Sequence, residues 1–215
     1  MAPPSAPRAA RPVRPAKKPK DQYHHGDLRR GLLQAAVRTI QKHGFDALTL
    51  RAVGDELGVS RSALYRHFAD KSALLTAVAA EGFRMLRQAL LGAWEGAGKG
   101  RAGFEAMGEA YVRFAVDNPW HYRVMFGGGF ALDENDAELA EEGTNAFGAL
   151  VSALVEQQAL GLVQKEDPQT QANFVWAVVH GVAMLAIDGQ FAHQGTDVGA
   201  LTRYAVERLR TGIGA

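Results

Sequence analysis

The sequence predicts an all-α fold of about nine helices, with an N-terminal three-helix unit, a long fourth helix and a helical-bundle C-terminal domain. Three observations lead to this prediction. Apolar residues recur at spacings of three and four along most of the chain, strand-type alternation is absent, and capping residues and glycines bracket the apolar stretches. The 215 residues are enough for one large domain or two small ones, and either can bury a substantial core.

Residues 1–22 are predicted to be a disordered, basic, proline-rich arm. They hold six of the eight prolines, and six basic residues lie between Arg8 and Lys20. Without apolar periodicity this segment cannot bury enough surface to offset the entropy of ordering it. Two interpretations stay open: the arm supplements attraction to phosphates, or it is an ordinary disordered extension.

Composition narrows the possible classes of protein. The chain has no cysteine, which excludes disulfides, zinc-thiolate sites and thiol catalysis and fits a reducing cytoplasm. No apolar run reaches the roughly 18–20 residues that span a bilayer, and the N-terminus lacks the apolar region of a secretory signal. We therefore expect a soluble, cytoplasmic protein with no membrane partner.

The small net charge of +1 conceals an uneven distribution. Residues 1–71 carry 14 Lys or Arg against 6 Asp or Glu, whereas the rest carries 10 against 17. A basic half beside an acidic half indicates nucleic-acid binding by the basic half. The alternative is a chance clustering of solvated surface charge.

The first four helices follow from their caps and apolar faces. Asp27 is predicted to cap the first helix, and Gly44 to end it in the left-handed conformation. The first helix carries an apolar face of Leu33, Ala36, Val37 and Ile40. Thr49 caps the second helix, Gly58 breaks it, Ser60 caps the third, and Asp70 opens the fourth. The fourth carries a stripe of Leu75, Ala79, Phe83, Leu86, Leu90 and Trp94, followed by a flexible exit at Gly96, Gly98, Gly100 and Gly103.

Five more helices are expected after this exit. The fifth is striped by Phe104, Met107, Tyr111 and Phe114 and stops at Asn118-Pro119. Pro119 suits the first turn of a short sixth helix that ends at the glycines of residues 127–129. The seventh is predicted from Asp133 to about Leu160, and the eighth from Pro168 to about Ala192. Asp197 caps the ninth.

The stretch from Thr49 to Phe68 has the pattern of a helix-turn-helix, which places its second helix in the major groove of DNA. Gly58 supplies the turn. Six apolar residues are predicted to lock the two helices together: Leu50, Val53, Leu57, Val59, Leu64 and Phe68. The residues left on the outer face are Arg61, Ser62, Ala63, Tyr65 and His67, with Arg66 a less certain member.

On these residues the stretch from about Tyr23 to Leu86 resembles the DNA-binding domain of the TetR family of bacterial transcriptional regulators. The resemblance is carried by Gly44, Thr49, Val53, Leu57, Gly58, Val59, Ser60, Leu64, Tyr65, Phe68, Lys71 and Leu75. It implies domains at residues 23–86 and 87–215, the second sensing a ligand and coupled to the first through the fourth helix. It also implies a homodimer on a pseudo-palindromic site in double-stranded DNA.

The resemblance also implies roles for individual residues. Arg61, Ser62 and Ala63 match family positions that approach bases. Thr49, Ser60, Tyr65, His67 and Lys71 match positions that hold phosphates. Ser62-Ala63 departs from the commoner pair of a glycine and a polar residue, so base readout would rest mainly on Arg61 and Ser62, because Ala63 can contact only a thymine methyl. Tyr65 and His67 have an alternative role in packing at the junction with the fourth helix.

A second resemblance, to a TetR subgroup, rests on residues 114–126 and 174–185 and on Trp176, His180 and Gly181. The eighth helix is apolar nearly all round, so we expect one stripe to face a cavity or core and another to face a partner subunit. The stripes are Trp176, His180, Ala183 and Ile187, and Phe174, Val178, Val182 and Leu185. The predicted dimer interface comprises Phe174, Val178, Val182, Leu185, Leu201, Ala205 and Leu209. Which stripe of the eighth helix faces which way is left open.

A mostly apolar cavity for a small, largely apolar effector is the expected ligand site. Its candidate residues are Trp94, Met107, Tyr111, Trp120, Met125, Phe147, Trp176, His180 and Met184. For any one of them ordinary core packing is the alternative, and His180 equally suits a hydrogen-bonded core position.

No catalytic, metal or cofactor site is predicted. The seven histidines show no metal-binding spacing, the glycines at 127–129 precede no phosphate-binding helix, and no serine lies in a nucleophile elbow. The predicted function is a dimeric DNA-binding regulator, most often a repressor in this architecture, that an effector releases. The alternatives are a regulator that senses nothing and, more remotely, a small all-α enzyme.

Overall fold

The computed structural model describes residues 25–128, 132, 133 and 135–214. The predicted arm at residues 1–22 lies outside this range. Over the described residues the chain forms nine α-helices and no β-strand, so the predicted all-α fold class is confirmed. The helices are α1 His25–His43, α2 Leu50–Leu57, α3 Arg61–Tyr65, α4 Lys71–Gly96, α5 Gly100–Asp117, α6 Pro119–Phe126, α7 Ala137–Ala159, α8 Pro168–Ile187 and α9 Val198–Ile213, with a 3-10 turn at Ala192–Gln194.

Side-chain caps start four of the helices where the sequence predicts them. The Thr49 hydroxyl accepts from the Ala52 amide at 3.1 Å, and the Asp70 carboxylate accepts from the Ala73 amide at 2.8 Å. Asp197 caps α9 in the same way. Each cap satisfies an amide that has no acceptor within its own helix. These local bonds explain why short sequence signals were enough to locate four of the helix starts, including that of α3 at Ser60.

Three helix boundaries differ from the prediction. α1 begins at His25, so Asp27 lies inside that helix and is not its N-cap. α7 begins at Ala137 and is capped by Asp136, whose carboxylate accepts from the Leu139 amide at 2.8 Å, whereas the carboxylate of Asp133 accepts from the Asn135 amide at 3.0 Å in the preceding turn. α8 ends at Ile187, and Gly189 adopts φ 73°, a left-handed conformation that stops the helix short of Ala192.

The glycine-rich exit from α4 is shorter than predicted. Only residues 97–99 connect α4 to α5, and Gly100 and Gly103 belong to α5. A Cβ atom on Gly103 would lie 2.8 Å from the Trp94 ring, so this glycine allows α5 to pack directly on the end of α4. Gly103 therefore has a packing role, and the prediction of a flexible segment there is wrong.

The C-terminal helices form a bundle around α4 and α5. α4 packs against α5, α6 and α7, while α5 also packs against α8 and α9. An isolated bridge between Val163 and Gly214 ties the end of α9 to the loop after α7. Among the described residues α8 is the one helix long and apolar enough to cross a bilayer, but it contacts α5, α7 and α9 as a component of the bundle.

Candidate nucleic-acid interface and ligand cavity

The helix-turn-helix is built from two short helices locked by their apolar side chains. Gly58 adopts φ 64° and turns the chain between α2 and α3, and the Ser60 hydroxyl caps α3 by accepting from the Ala63 amide at 3.2 Å. Four of the six predicted lock residues are buried, and Leu57 and Val59 are half-buried. The buried ones are Leu50, Val53, Leu64 and Phe68. This packing leaves the opposite face of α3 exposed to solvent.

Two of the three candidates for base contacts are on this exposed side of α3. Arg61 and Ser62 are exposed, whereas Ala63 is half-buried. The Ser62 hydroxyl lies 3.2 Å from the hydroxyl of Ser60, within hydrogen-bond distance. Arg61 forms no ion pair with another described residue, so its guanidinium is available to an external acceptor.

The candidates for phosphate contacts differ in their exposure to solvent. Thr49 and Ser60 are exposed helix caps, and Tyr65 is 52 % exposed. His67 is half-buried, and its ring is tilted against Phe68 with ring centroids 6.4 Å apart. Tyr65 is therefore the more accessible of these two side chains to an external phosphate.

Lys71 has a structural partner that the sequence did not reveal. Its Nζ donates to the backbone carbonyl of Phe45 at 2.8 Å, which ties the start of α4 to the chain that follows α1. An ammonium group has three donors, so this bond leaves two for other acceptors. A contact with phosphate and a structural bond are thus compatible in this side chain.

A cavity of about 400 Å3 lies inside the C-terminal bundle. Helices α4, α5, α7, α8 and α9 supply its walls, and the end of α6 contributes Phe126. Its lining residues are Phe83, Leu86, Leu90, Phe104, Met107, Gly108, Tyr111, Phe126, Gly143, Ala146, Phe147, Leu150, Gln169, Asn173, Val175, Trp176, Val179, Val206 and Leu209. The volume and the apolar walls are typical of small-molecule sites.

Four of the nine residues predicted for the ligand site line this cavity: Met107, Tyr111, Phe147 and Trp176. The other five do not, and for four of them packing gives the reason. Trp94 covers Gly103, and Met125 packs on Gly82. Trp120 contacts Phe45, which lies between α1 and α2; helices α1, α2 and α3 together are called the DNA-reading unit below. His180 lies behind the cavity wall, and Met184, half-buried on α8, is also absent from the lining.

His180 is half-buried and belongs to a hydrogen-bond cluster with two buried tyrosines. Its Nδ1 lies 2.7 Å from the Tyr122 hydroxyl and 3.2 Å from that of Tyr111, and the two hydroxyl oxygens are 2.9 Å apart. The Trp176 indole nitrogen donates to the Tyr111 oxygen at 2.8 Å. Burial raises the pKa of Tyr111 to about 12 and lowers the pKa of His180 below its ordinary value. At neutral pH the cluster is therefore uncharged.

The predicted dimer-interface residues fall on an outward face, with one exception. On α8, Phe174 and Leu185 are 51 % and 46 % exposed. Val178, Val182, Leu201 and Ala205 are half-buried in the single chain. Leu209 is the correction: it is buried and lines the cavity, because α9 turns this position towards α5 and α8. The more exposed apolar residue of α9 is Tyr204, which the sequence prediction missed.

Two contacts connect the cavity walls to the DNA-reading unit. Trp120, at the start of α6, packs edge-on against Phe45 with ring centroids 6.2 Å apart, and Phe126, at the end of α6, lines the cavity. The second contact is an ion-pair ladder, which we define as Arg29, Arg84, Arg87, Glu138 and Glu142. It joins α1, α4 and α7, and spacings of three and four residues place its charges on single helix faces.

The sequence reasoning missed most of the apolar wall and the two amide residues of the cavity. Phe83, Leu86, Leu90 and Phe104 were identified as helix stripes, and the step from stripe to cavity wall requires the relative rotation of the helices. Gln169 and Asn173 had a usable signal, since they lie seven and three residues before Trp176 on the same helix face. Among the described residues no group of three or more His, Asp or Glu could hold a metal ion.

Comparison with known families assigns both parts of the chain. Residues 32–78 match the family described as bacterial regulatory proteins, tetR family, and residues 104–209 match the tetracyclin repressor-like C-terminal domain. A helix-turn-helix transcriptional repressor from Mycobacterium tuberculosis is 40% identical over 58 residues, which span 27% of this chain and 31% of that repressor.

Solved structures extend the similarity to nearly the whole chain. A protein of unknown function from Rhodococcus sp. RHA1 is 35% identical with a TM-score of 0.80, over 91% of this chain and 100% of the other. A tetR-family regulatory protein from Rhodococcus RHA1 is 21% identical with a TM-score of 0.67, over 87% and 97% of the two chains. The fold is thus shared along both the DNA-reading unit and the cavity-bearing bundle.

Proposed function

The chain belongs to the TetR family of DNA-binding transcriptional regulators, and from this premise we propose that it is a dimeric repressor released from its operator by a small effector. It would act on the chromosome in the bacterial cytoplasm. The observation that carries the proposal is the pairing of a DNA-reading unit with a cavity of about 400 Å3 in the helix bundle packed against it. The size and apolar lining of the cavity favour a regulator that responds to a ligand over a constitutive one.

The exposed residues of α3 support specific reading of DNA. Arg61 can reach a guanine edge with two donors, and Ser62 can bond to any base edge in the major groove. Thr49, Ser60 and Tyr65 are exposed beside them and suit phosphates, while Lys71 retains two donors. Ala63 is half-buried, so Arg61 and Ser62 would supply most of the contacts that distinguish bases.

The exposed apolar face of α8 and α9 supports a homodimer. Phe174, Leu185 and Tyr204 leave about half of their surface in solvent in the single chain, and apolar residues of this size gain free energy when a partner covers them. A two-fold dimer would present two α3 helices, one to each half-site of a pseudo-palindromic operator.

Release by an effector requires that the ligand bind one spacing of the two α3 helices better than another. α4 supports such coupling because it starts at Lys71 beside the DNA-reading unit and supplies Phe83, Leu86 and Leu90 to the cavity. α7 offers a second route, since its Gly143 and Phe147 line the cavity while its Glu138 pairs with Arg29 of α1. A ligand that moves these walls would shift the α3 pair by its differential affinity alone.

The experiment begins with selection of bound duplexes from a random pool, followed by affinity measurements on the selected operator. Arg61→Ala is expected to lose about 1–3 kcal/mol on the operator and to relax preference at one base position. The matched control is Arg101→Ala, at an exposed position on α5. Equal loss on every sequence would make Arg61 a phosphate contact instead.

The effector claim is tested on the same complex. A library of small molecules is screened by thermal shift, and each ligand that stabilises the protein is then added to the protein–operator complex. A stabilising ligand that lowers operator affinity supports the proposal. Ligands that stabilise the protein and leave operator affinity unchanged would favour the alternative of a constitutive regulator.

A further inference from the structure

We propose that the effector is a neutral amphiphile, with an uncharged apolar body inside the cavity and one neutral hydrogen-bonding group held at the rim by Gln169 and Asn173. The proposal rests on the ligand-sensing function proposed above and deepens it by naming the chemical class of the ligand. It follows from three observations: the lining carries no charged residue, the polar atoms at its deep end are already hydrogen-bonded, and two side-chain amides at its rim make no hydrogen bond within the described residues.

The lining carries no formal charge. None of the 19 residues that line the cavity is Asp, Glu, Lys, Arg or His. Several charged residues are adjacent in sequence to lining residues, but none of them is part of the lining. Arg84 and Arg87 pair with Glu142, and Arg210 pairs with Glu105. A charged group placed among such walls would lose its water and gain no counter-charge, which is strongly unfavourable. The part of the ligand that enters the cavity is therefore uncharged.

The polar atoms at the deep end of the cavity, near Tyr111 and Trp176, already form hydrogen bonds with each other or with neighbouring side chains. The Tyr111 oxygen receives the Trp176 indole N–H and lies within hydrogen-bond distance of both Tyr122 and His180. Phe126 stands edge-on to the His180 ring with centroids 4.8 Å apart and is itself part of the cavity wall. The deep end thus presents ring surfaces to a ligand, and this surface favours an apolar body.

The free polar groups of the lining are at the other end. Gln169 and Asn173 are exposed, and within the described residues neither carboxamide makes a hydrogen bond to another side chain or to the backbone. With Trp176 they occupy one face of α8 at successive turns, which spaces Gln169 from Trp176 by about 10 Å along the helix. Each amide offers donors and an acceptor, so a hydroxyl, carboxamide or carbonyl group can pair with both.

The test compares probes that share an eight-carbon chain and differ only in the head group: octanamide, octanoate and octylamine, at pH 7.5. Binding is measured by titration calorimetry and by the change in tryptophan fluorescence. Octanamide should bind at least about tenfold more tightly than either charged probe. A charged probe that binds as tightly as octanamide would overturn the proposal, as would the absence of octanamide binding.

Variants then locate the head group. The double substitution Gln169→Leu with Asn173→Leu should weaken octanamide about tenfold and leave toluene, which has no head group, unchanged or bound more tightly. Gln88→Leu, at an exposed glutamine on α4 outside the cavity, is the matched control and should change neither. Equal weakening of octanamide and toluene in the double variant would mean that the amides only support the wall, which contradicts the proposal.

The outcomes also separate this proposal from the proposed function. If a charged ligand binds in the cavity and releases the operator, the neutral class is wrong and ligand-controlled regulation stands. Octanamide could bind as expected while neither it nor any other neutral amphiphile that binds the cavity changes operator affinity. That result would support the proposed ligand class and contradict release of the operator by an effector.

Discussion

The guanidinium of Arg84 lies 2.7 Å from the carboxylate of Glu138, and the same carboxylate group pairs with Arg29 at 2.7 Å. Glu138 therefore binds α4 of the cavity-bearing bundle and α1 of the DNA-reading unit at once. The hydrogen bonds from Arg84 to Glu138 and Glu142 raise the pKa of Arg84 above its ordinary value. One residue of α7 thus holds together two elements that effector binding would have to move relative to each other.

Glu138→Gln should weaken this link. The substitution keeps the shape of the side chain and removes the charge that two arginines share, so we expect a loss of about 1 kcal/mol in the free energy of unfolding, fading at high salt because the groups are partly exposed. Denaturant unfolding at two salt concentrations measures it. Glu141→Gln, at an exposed position of the same helix, is the control. A loss that is independent of salt would speak against an electrostatic role.

Lys71→Met should lower DNA affinity about equally on all sequences. It retains the apolar stem of the side chain and removes the ammonium, so the slope of log affinity against log salt should fall in magnitude by about one unit if that ammonium neutralises a phosphate. Fluorescence anisotropy over a salt series measures the slope, with Lys165→Met, exposed in the loop before α8, as the control. An unchanged slope together with lower stability would assign Lys71 to its bond with Phe45 alone.

Phe174→Glu should convert the dimer to monomers. The side chain is 51 % exposed in the single chain, so the folded monomer tolerates the change, whereas burial of an unpaired carboxylate against an apolar partner costs several kcal/mol. Light scattering gives the mass, and operator affinity should fall with it. Val116→Glu, at a 47 % exposed apolar residue of α5 outside the proposed interface, should remain dimeric. The interface assignment fails if the masses of the two variants respond alike.

Gly143→Leu should block the cavity without unfolding the protein. A Cβ atom at Gly143 meets nothing within 4 Å, and this residue lines the cavity. Replacement of a helical glycine also favours the helix by up to about 1 kcal/mol. Gly148→Leu is the matched control, because it lies on the same helix with equal free space and outside the lining. Ligand titrations should lose binding only for Gly143→Leu, and unaltered binding there would show that ligands occupy another site.

His180 should make the stability of the protein depend on pH near neutrality. Burial lowers the pKa of His180 below its ordinary value of 6.5, so the unfolded chain takes up a proton here before the folded chain does. Stability should therefore fall as pH drops below about 6.5, until the folded pKa is reached. His180→Gln should flatten this part of the profile, measured by urea unfolding from pH 5 to 8. His193→Gln, at an exposed histidine, should retain it.

The sequence was most informative where structure is set by neighbours in the chain. Thr49, Ser60 and Asp70 were correctly identified as caps because the bond that each forms reaches only three residues ahead. The start of α7 was misjudged because two aspartates three residues apart both suit the cap. Asp136 caps the helix, whereas Asp133 closes the preceding turn and its amide donates to Thr76, which lies on a different helix. Local chemistry could not show that distant partner.

The ligand site was harder to predict for a similar reason. Trp94 and Met125 are aromatic or flexible apolar residues of the kind that line cavities, but close approaches at Gly103 and Gly82 draw them into helix contacts. Helical periodicity identifies which residues share a face and leaves open which neighbour that face meets. The outward stripe of α8 and the inward position of Leu209 on α9 could be distinguished only once the bundle was assembled.

The DNA-reading helices α2 and α3 have eight and five residues, too few to be stable on their own in water. They are stabilised by packing on their neighbours: Leu64 of α3 lies against Gly54 of α2, and α2 packs on α1. Arg29 of α1 lies over the Phe68 ring, and Lys71 of α4 bonds to Phe45. A shift of α4 would therefore change how well ordered α3 is, as well as where it lies. If an effector acts through α4 as proposed, operator binding would include an entropy of ordering that the effector raises or lowers, and amide hydrogen exchange in α3 would follow it.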